Sequence, residues 1–493
     1  MADTALGWSE KMSVQVGGAG TVAAAGVVLP RLLADRVGLC TGLAAVAARA
    51  GFVPLRHRGR ALVDAACSLA AGATCLSDVE AMTAQEGIFG PGGGASDTTL
   101  LRVLDELAGR LRADGLPGRR LARATAAARG KAWAAVVDRH GGLPAVTVAG
   151  RELTRPATDA GAPPRPVLVV RLDATLLDAA STKERAAGTF KQGYGFHPLT
   201  AWCTNIGDSL AVQLRPGNAG SFTASDHLAV FDAAIAQIPA EWRADVLVTI
   251  DGAGASHEII DHLTAMNTAT RHGRRGRRVE YSIGWPVDER TLGAIGVLGG
   301  GDWGEALHTD GVVDPGAQVA ELTGILHGGG HDRLATWPAD LRILARRVPR
   351  PAGKPAKLGE DADWEYGAFA TNTPTGQIQW LDARHHTQAH VEDRVKQLKA
   401  CGARNLPSID YDRNAAWLQL AALATSLTAW LRHLALDGAL AKASTKTLRF
   451  RLLSAPARLV THARRKILKV PPGWAWATDL AAAWNRLQAL HPD

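Results

Sequence analysis

Apolar residues recur along this chain with two periods, and the changes between them divide it into segments. After a glycine-rich start, residues 1–55 carry the helical pattern "VVLPRLLADRVGL". Helical spacing returns three times between 61 and 112, in "ALVDAACSLAAGA", in "SDVEAMTA" and in "TTLLRVLDELAGRLR", the last two separated by the loop "GIFGPGGGASD". In the second of these Ser77, with Glu80 three places on, reads as a capping box. Two short helices and a third after a glycine turn fit a helix-turn-helix, and fit a plain helical bundle equally well. An alanine- and arginine-rich helix over 119–140 and a linker, "TRPATDAGAPPRP" (154–166), follow.

The period then changes to that of strands. Short apolar runs at 167–173, 196–203 and 209–214, closely connected, predict an antiparallel meander. A helix over 224–238 leads to the apolar run "VLVTIDGAGASHEII", a strand ending at Asp251 with a helix after it. Residues 275–375 mix strands ("RVEYSIGW", "ILARRV", "EYGAFATNT") with glycine and proline. Helical spacing resumes from His385 to Leu398; the apolar run Ala415–Leu431 reads as a core helix, and the basic stretch "HARRKILK" lies in a C-terminal region predicted helical.

Strand-strand-strand-helix-strand-helix, an interruption, then a helix is the order a ribonuclease-H-like fold with an insertion requires, its first and fourth strands side by side. The expected class is thus multidomain α/β. A helical N-terminal, DNA-binding region (1–150, helix-turn-helix-like at about 61–112) precedes the first part of the core (165–274), a β-rich insertion (275–375), the second part of the core (376–440) and a basic helical C-terminal region (441–493).

A length of 493 residues suggests two to four domains, and 46% hydrophobic content suits sizeable cores. The net charge of +8 favours a polyanionic partner. Five scattered cysteines (Cys40, Cys67, Cys75, Cys203, Cys401) form no CxxC pair and read as reduced thiols of a cytoplasmic protein. The apolar stretch Val14–Leu29 is too short and glycine-rich for a membrane span and lacks the basic flank of a signal peptide; no membrane partner is expected.

The candidate chemistry is carboxylate chemistry. Asp173 and Asp251 end apolar strands. Strand-end aspartates are commonly helix caps or turn formers, but if the two strands are neighbours, two like charges face each other, and a divalent metal is the usual remedy. Hard oxygen ligands suit Mg²⁺, and two ions about 4 Å apart would clamp both oxygens of a phosphodiester displacement. Glu392, on a helix with Arg394, Lys396 and Lys399, is the candidate third acid; such a mixture is commonly a solvated, salt-bridged face. Other motifs are weaker. "DGAGAS" places His257 where a dinucleotide loop needs its third glycine. "GPGGG" lacks the Lys-Ser/Thr of a phosphate loop. His385, His386 and His390 have helix spacing but no HExxH, and Ser256–His257–Glu258 is merely contiguous.

Taken together, "GGAGTVAAAGVVLPRLLADRVGL", "SDVEAM", "GGGASDTTLLRVLDEL", "LDATLLDAASTKERAAGTFKQGYGFHPL", "TIDGAGAS" and "AHVEDRVKQLKACGARNLPS" resemble the group-1 DDE transposases of bacterial insertion sequences over nearly the whole length. The resemblance implies that Asp173, Asp251 and Glu392 are the catalytic triad and hold two Mg²⁺ ions, with Mn²⁺ able to substitute. It implies that the basic, glycine-bearing turn with Lys183 and Lys191 approaches DNA, as do Arg394, Lys396 and Lys399. A related signature, Tyr-x2-Arg-x3-Glu-x6-Lys, is matched at Glu392 and Lys399 but has His385 and Gln388 at its first two positions. Arg384, Arg394 or Lys396 are then the candidates for the missing phosphate contacts.

The implied activity is cleavage of the element's ends and their joining to target DNA, with double-stranded DNA as partner, a homodimer forming on it, and a cytoplasmic, nucleoid-associated location. The N-terminal helices would read the terminal inverted repeats. The cluster Arg271, Arg274, Arg275, Arg277 and Arg278 is a candidate backbone clamp, since five guanidiniums in eight residues repel unless phosphates neutralise them. The apolar helices from Ala415 to Leu440 would either bury the core or join protomers. A nuclease that cuts without joining, and a DNA-binding relic without activity, are the alternatives.

Overall fold

In the computed structural model, residues 12–13, 15–114, 118–156, 163–220, 223–252, 254–269, 276–328, 334–353 and 361–490 are described. The N-terminal part is helical: α1 (Val28–Arg36), α2 (Leu39–Ala47), α3 (Arg58–Ala71), α4 (Leu76–Thr83), α5 (Asp97–Asp114) and α6 (Arg119–His140), after a two-residue strand β1 (Thr21–Val22). The start of α4 is tied by Asp78, which accepts from the Thr74 amide at 2.7 Å; the Ser77–Glu80 capping box does not form.

The strands that follow are β2 (Leu168–Ala174), β3 (Leu199–Cys203), β4 (Asp208–Gln213), β5 (Asp245–Ile250), β6 (Arg278–Trp285), β7 (Gly304–Leu307), β8 (Val313–Glu321), β9 (Arg342–Pro349) and β10 (Trp364–Thr371). Among the described residues these nine join one mixed sheet in the order β4-β3-β2-β5-β6-β10-β9-β8-β7. β2, β5 and β6 are parallel, and the pairs on either side are antiparallel. Parallel strands are covered on both faces and so read as unbroken apolar runs; all six residues of β5 are buried. On one face Leu172, Val248 and Ile250 pack against α7 (Ala224–Gln237) and α8 (His257–Ala265), through Phe231, Ile259 and Leu263. On the other face lie Val169, Arg171, Asp173 and Thr249, under the segment α9 (Ile378–His386) to α10 (His390–Leu398).

The segment 275–375 does not stand apart as an insertion. Its first strand, β6, is the parallel neighbour of β5 in mid-sheet, and β7 to β10 extend the same sheet. Backbone pairing of β10 with β6 joins these strands to the rest of the sheet.

A single long helix, α11 (Tyr411–Ala435), organises the rest. The Asp410 carboxylate caps it, accepting from the Arg413 amide at 2.8 Å. Twenty-one of its 25 residues are buried, because α3 and α5 cover one side and β4 the other. Within Ala415–Ala435 this helix is therefore mostly core, as one of the two expected roles requires, while residues 437–439 beyond it are exposed.

The same packing decides the N-terminal region. α3, the first helix of the expected helix-turn-helix, is buried at twelve of its fourteen positions, and helices α1 to α6, α11 and the sheet share one hydrophobic cluster. The helices thus pack as one body with the sheet. Buried polar groups pin them to it: Arg129 of α6 meets Asp208 of β4 at 2.8 Å, and the indole N–H groups of Trp133 and Trp430 donate to the same carboxylate oxygen at 3.0 and 2.8 Å.

The C-terminal region is also corrected. "HARRKILK" is not helical but lies in a hairpin of β11 (Ala457–His462) and β12 (Arg465–Lys469), with β11 paired to β1, before the last helix, α12 (Ala477–Ala489). Leu459 and Leu468 face the Val22 cluster while Val460 and Ile467 take the other face, as strand geometry requires. Among the described residues no single helix is long and apolar enough to cross a membrane.

Candidate active site

β2 and β5 run in parallel with Leu172 opposite Ile250. The next position on each is an aspartate, so Asp173 and Asp251 leave the same edge of the sheet side by side. Asp173 is held well above the ordinary carboxylate range, at about 7: burial contributes most, followed by the Asp251 charge and then Glu392, while the Ala174 amide and Lys399 oppose. The three acids singled out in the sequence therefore share one electrostatic field.

The turn after Asp251 is set by glycine. Gly252 has φ +64°, and its amide donates to Asp251 Oδ1 at 2.7 Å. This turn lies directly on β6 at Gly284, where a Cβ would come 1.5 Å from the Gly252 carbonyl oxygen. The glycines of "DGAGAS" thus serve the placement of Asp251. Ser256 caps α8, accepting from the Ile259 amide at 3.3 Å, and His257 stacks on Trp337 at 3.8 Å, so no triad forms there.

Glu392, on α10, is exposed, 3.9 Å from Lys396. Lys399 is half-buried and held below its ordinary value, first by burial; Asp178 and Asp173 oppose that, and Lys191 and Arg404 add to it. Lys399 and Lys191 thus flank the acids, with Lys191 over the exposed Phe190 ring at 5.9 Å.

Three carboxylates form the hard donor set that suits Mg²⁺, and the mutual repulsion raising Asp173 is what a cation would relieve. Among the described residues, however, no three His, Cys, Asp or Glu side chains stand close enough to hold an ion together. The donor types fit; closure requires Glu392 to leave Lys396 and turn inward.

Several expected phosphate contacts have other duties. Lys183 donates to the carbonyls of Leu406 and Ser408, the latter at 3.1 Å, tying the turn after Asp173 to the loop before α11. Arg384 is buried, donating to Glu280 at 3.1 Å and to Thr371 and Thr373, so it cannot replace a missing phosphate contact. Despite burial, Glu280 stays below its ordinary value because Arg384, Arg155 and Arg278 surround it. Arg394 follows Glu392 by two positions and so leaves the helix on the opposite side. It packs on Gly207 and lines a cavity of about 350 Å³ with Arg432 and Lys442.

His385 and Gln388 are buried as well. His385 stacks on Phe369 with centroids 4.4 Å apart and meets Ser282 Oγ at 2.9 Å. Gln388 donates to the Leu172 carbonyl at 3.1 Å and accepts from Thr249 and Arg171. His386 contacts Asp382 at 3.2 Å, and the His390 side chain lies outside the described residues.

The described members of the arginine cluster, Arg277 and Arg278, are at the opposite end of β5 from the acids. Arg271, Arg274 and Arg275 lie outside the described residues. Arg278 pairs in register with Asp245, the first residue of β5, and its guanidinium meets Glu280 at 2.6 Å. The Arg277 amide donates to Thr268 Oγ1 at 2.7 Å. Six residues of strand, roughly 20 Å, separate this end from Asp251.

Arg171 was not singled out in the sequence. It is 1% exposed and held down at about 9, first by burial and then by Arg394. Its guanidinium donates only to neutral groups: Thr204 at 2.8 Å, Thr387 at 2.6 Å, Thr249 at 3.3 Å and Gln388 at 3.2 Å. The available signal was an arginine inside "LVVRLDA", two positions before Asp173 and therefore on its face of the strand.

The family whose description matches the sequence is the transposase DDE domain, group 1, over residues 5–492. The chain belongs to this DDE transposase family. Among curated proteins, none matches. One solved structure similar to the chain is a cryo-EM structure of the piggyBac transposase synaptic complex with hairpin DNA, 8% identical, with a TM-score of 0.41, covering 97% of this chain and 88% of that one.

Proposed function

We propose that the chain is an insertion-sequence transposase that binds the terminal inverted repeats of its element as double-stranded DNA, cleaves there, and joins the freed 3′ ends to target DNA. The observation that carries this reading is the register of β2 and β5, which brings Asp173 beside Asp251 in the field of Glu392. The strand order β4-β3-β2-β5-β6, with its mixture of antiparallel and parallel pairs, supports a ribonuclease-H-like core around that register.

Asp173, Asp251 and Glu392 would hold two Mg²⁺ ions, or Mn²⁺ in their place. When bound, these ions supply Lewis acidity at the phosphodiester and lower the pKa of an attacking water. The chain's own groups do the rest. The two aspartates, fixed by paired strands, would hold the cations at one place on the sheet edge; Lys399 and Lys191 attract the phosphate charge, and Arg171 and Gln388 brace β2 and β5 from beneath. Cleavage and joining are both displacements at phosphorus, so one site serves both in turn. Two protomers would pair the two ends, and the protein would act in the cytoplasm, on the nucleoid.

The test is an end-joining assay on linear DNA carrying the element's termini, with Mg²⁺, with Mn²⁺ and with chelator. Joined products that require the metal and vanish in Asp173→Asn support the reading. Cleavage without joining would reduce the protein to a nuclease, and binding alone would leave an inert relic.

A further inference from the structure

The hairpin Ala457–Lys469 carries a charge pattern that no described residue neutralises with an ion pair. Arg458, Arg464, Arg465, Lys466 and Lys469 are all exposed, and among the described residues none has an ion-pair partner. Arg458 lies directly across from Lys469, and His462 across from Arg465. Like charges in directly opposed positions destabilise a sheet. The exposed face thus reads, row by row, Arg458/Lys469, then Val460/Ile467, then His462/Arg465, with Arg464 at the tip.

The hairpin is nonetheless firmly built. Leu459 and Leu468, on its inner face, pack against Val22, Ala457 and Ile88, and β1 pairs with its base through Thr21 opposite Arg458. Its two-residue connection, Ala463 and Arg464, has φ of +48° and +63°. The matching turn type favours Asn-Gly, and non-glycine residues there cost about 1 kcal/mol each. Repulsive pairs, an unfavourable turn and a rigid base together describe a surface kept for an anion outside the chain.

Dimensions favour one kind of anion. Four residues separate the two cationic rows, about 13 Å of strand, and the major groove of duplex DNA is about 12 Å wide and admits a two-stranded ribbon. We propose that this hairpin is a β-ribbon arm lying in the major groove of duplex DNA, its cationic rows on the phosphates of the two bordering strands and Val460 and Ile467 towards the base edges. The proposal rests on the transposase reading and adds a DNA contact outside the catalytic edge.

Fluorescence anisotropy of a labelled duplex, titrated with the full-length protein over a series of salt concentrations, tests it. Replacing Arg464 and Arg465 together by serine should lower the slope of log K against log salt by about 2, at ~0.9 per phosphate contact. A second variant, Ala463→Asn with Arg464→Gly, improves the turn while removing one cation, and should lower the slope by about 1 with an unchanged or higher melting temperature. Slopes equal to that of the unaltered protein, in variants that melt normally, would overturn the arm and leave the transposase reading standing. No salt-dependent binding by the unaltered protein would overturn both.

Discussion

Asp208→Asn should unfold this protein far more easily than a one-atom change suggests. Arg129 and Asp208 are 2% and 0% exposed, and one carboxylate oxygen accepts from Arg129 Nε, Trp133 Nε1 and Trp430 Nε1. The second oxygen faces Arg129 Nη2 at 3.4 Å. An asparagine that keeps its carbonyl towards the indoles must turn its NH₂ on that guanidinium, donor against donor. The guanidinium is then a buried charge without a counterion, and breaking a buried pair from one side costs about 3–5 kcal/mol. At about 1.4 kcal/mol per factor of ten, the unfolding equilibrium shifts by roughly two to four orders of magnitude. Urea unfolding followed by tryptophan emission is a direct assay, since Trp133 and Trp430 sit in the network. The double variant Arg129→Met with Asp208→Leu removes both charges and should be less damaging than Asp208→Asn alone. A loss below about 1 kcal/mol for Asp208→Asn, or a double variant worse than the single, would refute the reasoning.

The other expectations concern the catalytic edge and acid stability. Asp173→Asn, Asp251→Asn and Glu392→Gln should each lower DNA cleavage by several orders of magnitude while leaving duplex binding by anisotropy unchanged; near-normal cutting would strike that residue from the site. Gly284→Ala should displace the Gly252 turn and with it Asp251, so cleavage falls sharply in a protein whose circular dichroism is unaltered; full activity would mean the turn is not what positions Asp251. His385 has a folded-state value of about 3 against an ordinary 6.5, first because it is buried. The unfolded chain therefore binds the extra proton, and stability is lost as pH falls below 6.5, by about 2 kcal/mol at pH 5 from this residue. His433, at about 4 for the same first cause, acts in the same direction. Urea midpoints measured between pH 7 and pH 5 check this, and a flat profile would contradict it.

The acids were legible because strand ends are local features: an apolar run that stops at a carboxylate states both the strand and its edge. What neighbours what was less legible. Arg384, Arg394 and Lys183 look alike as exposed cations in a sequence, yet one is buried on Glu280, one leaves the far side of α10, and one ties down a loop. Each outcome depends on residues at least 100 positions away or on helix phase. The depth at which the first helix of the expected helix-turn-helix is buried was illegible for a similar reason. Nothing within "ALVDAACSLAAGA" tells that α11, over 300 residues later, will cover it. The hairpin at 457–469 was hard to read because five cations in a short span dominate two strands of only six and five residues.

Pairing of β1 with β11 has a consequence for synthesis. The Ala25 amide donates to the Ala455 carbonyl at 2.8 Å, and α1 packs on α12. Translation at roughly 5–20 residues per second places these partners about 20–90 s apart on the ribosome. Through that interval the faces of α1 and α3 that pack on α11 lack their partner, since α11 also emerges late. Long-range closure of this kind slows folding and exposes the nascent chain to aggregation and to chaperones. The quantity of active protein a cell accumulates is thereby set as much by the fate of the unfinished chain as by the rate at which its gene is read.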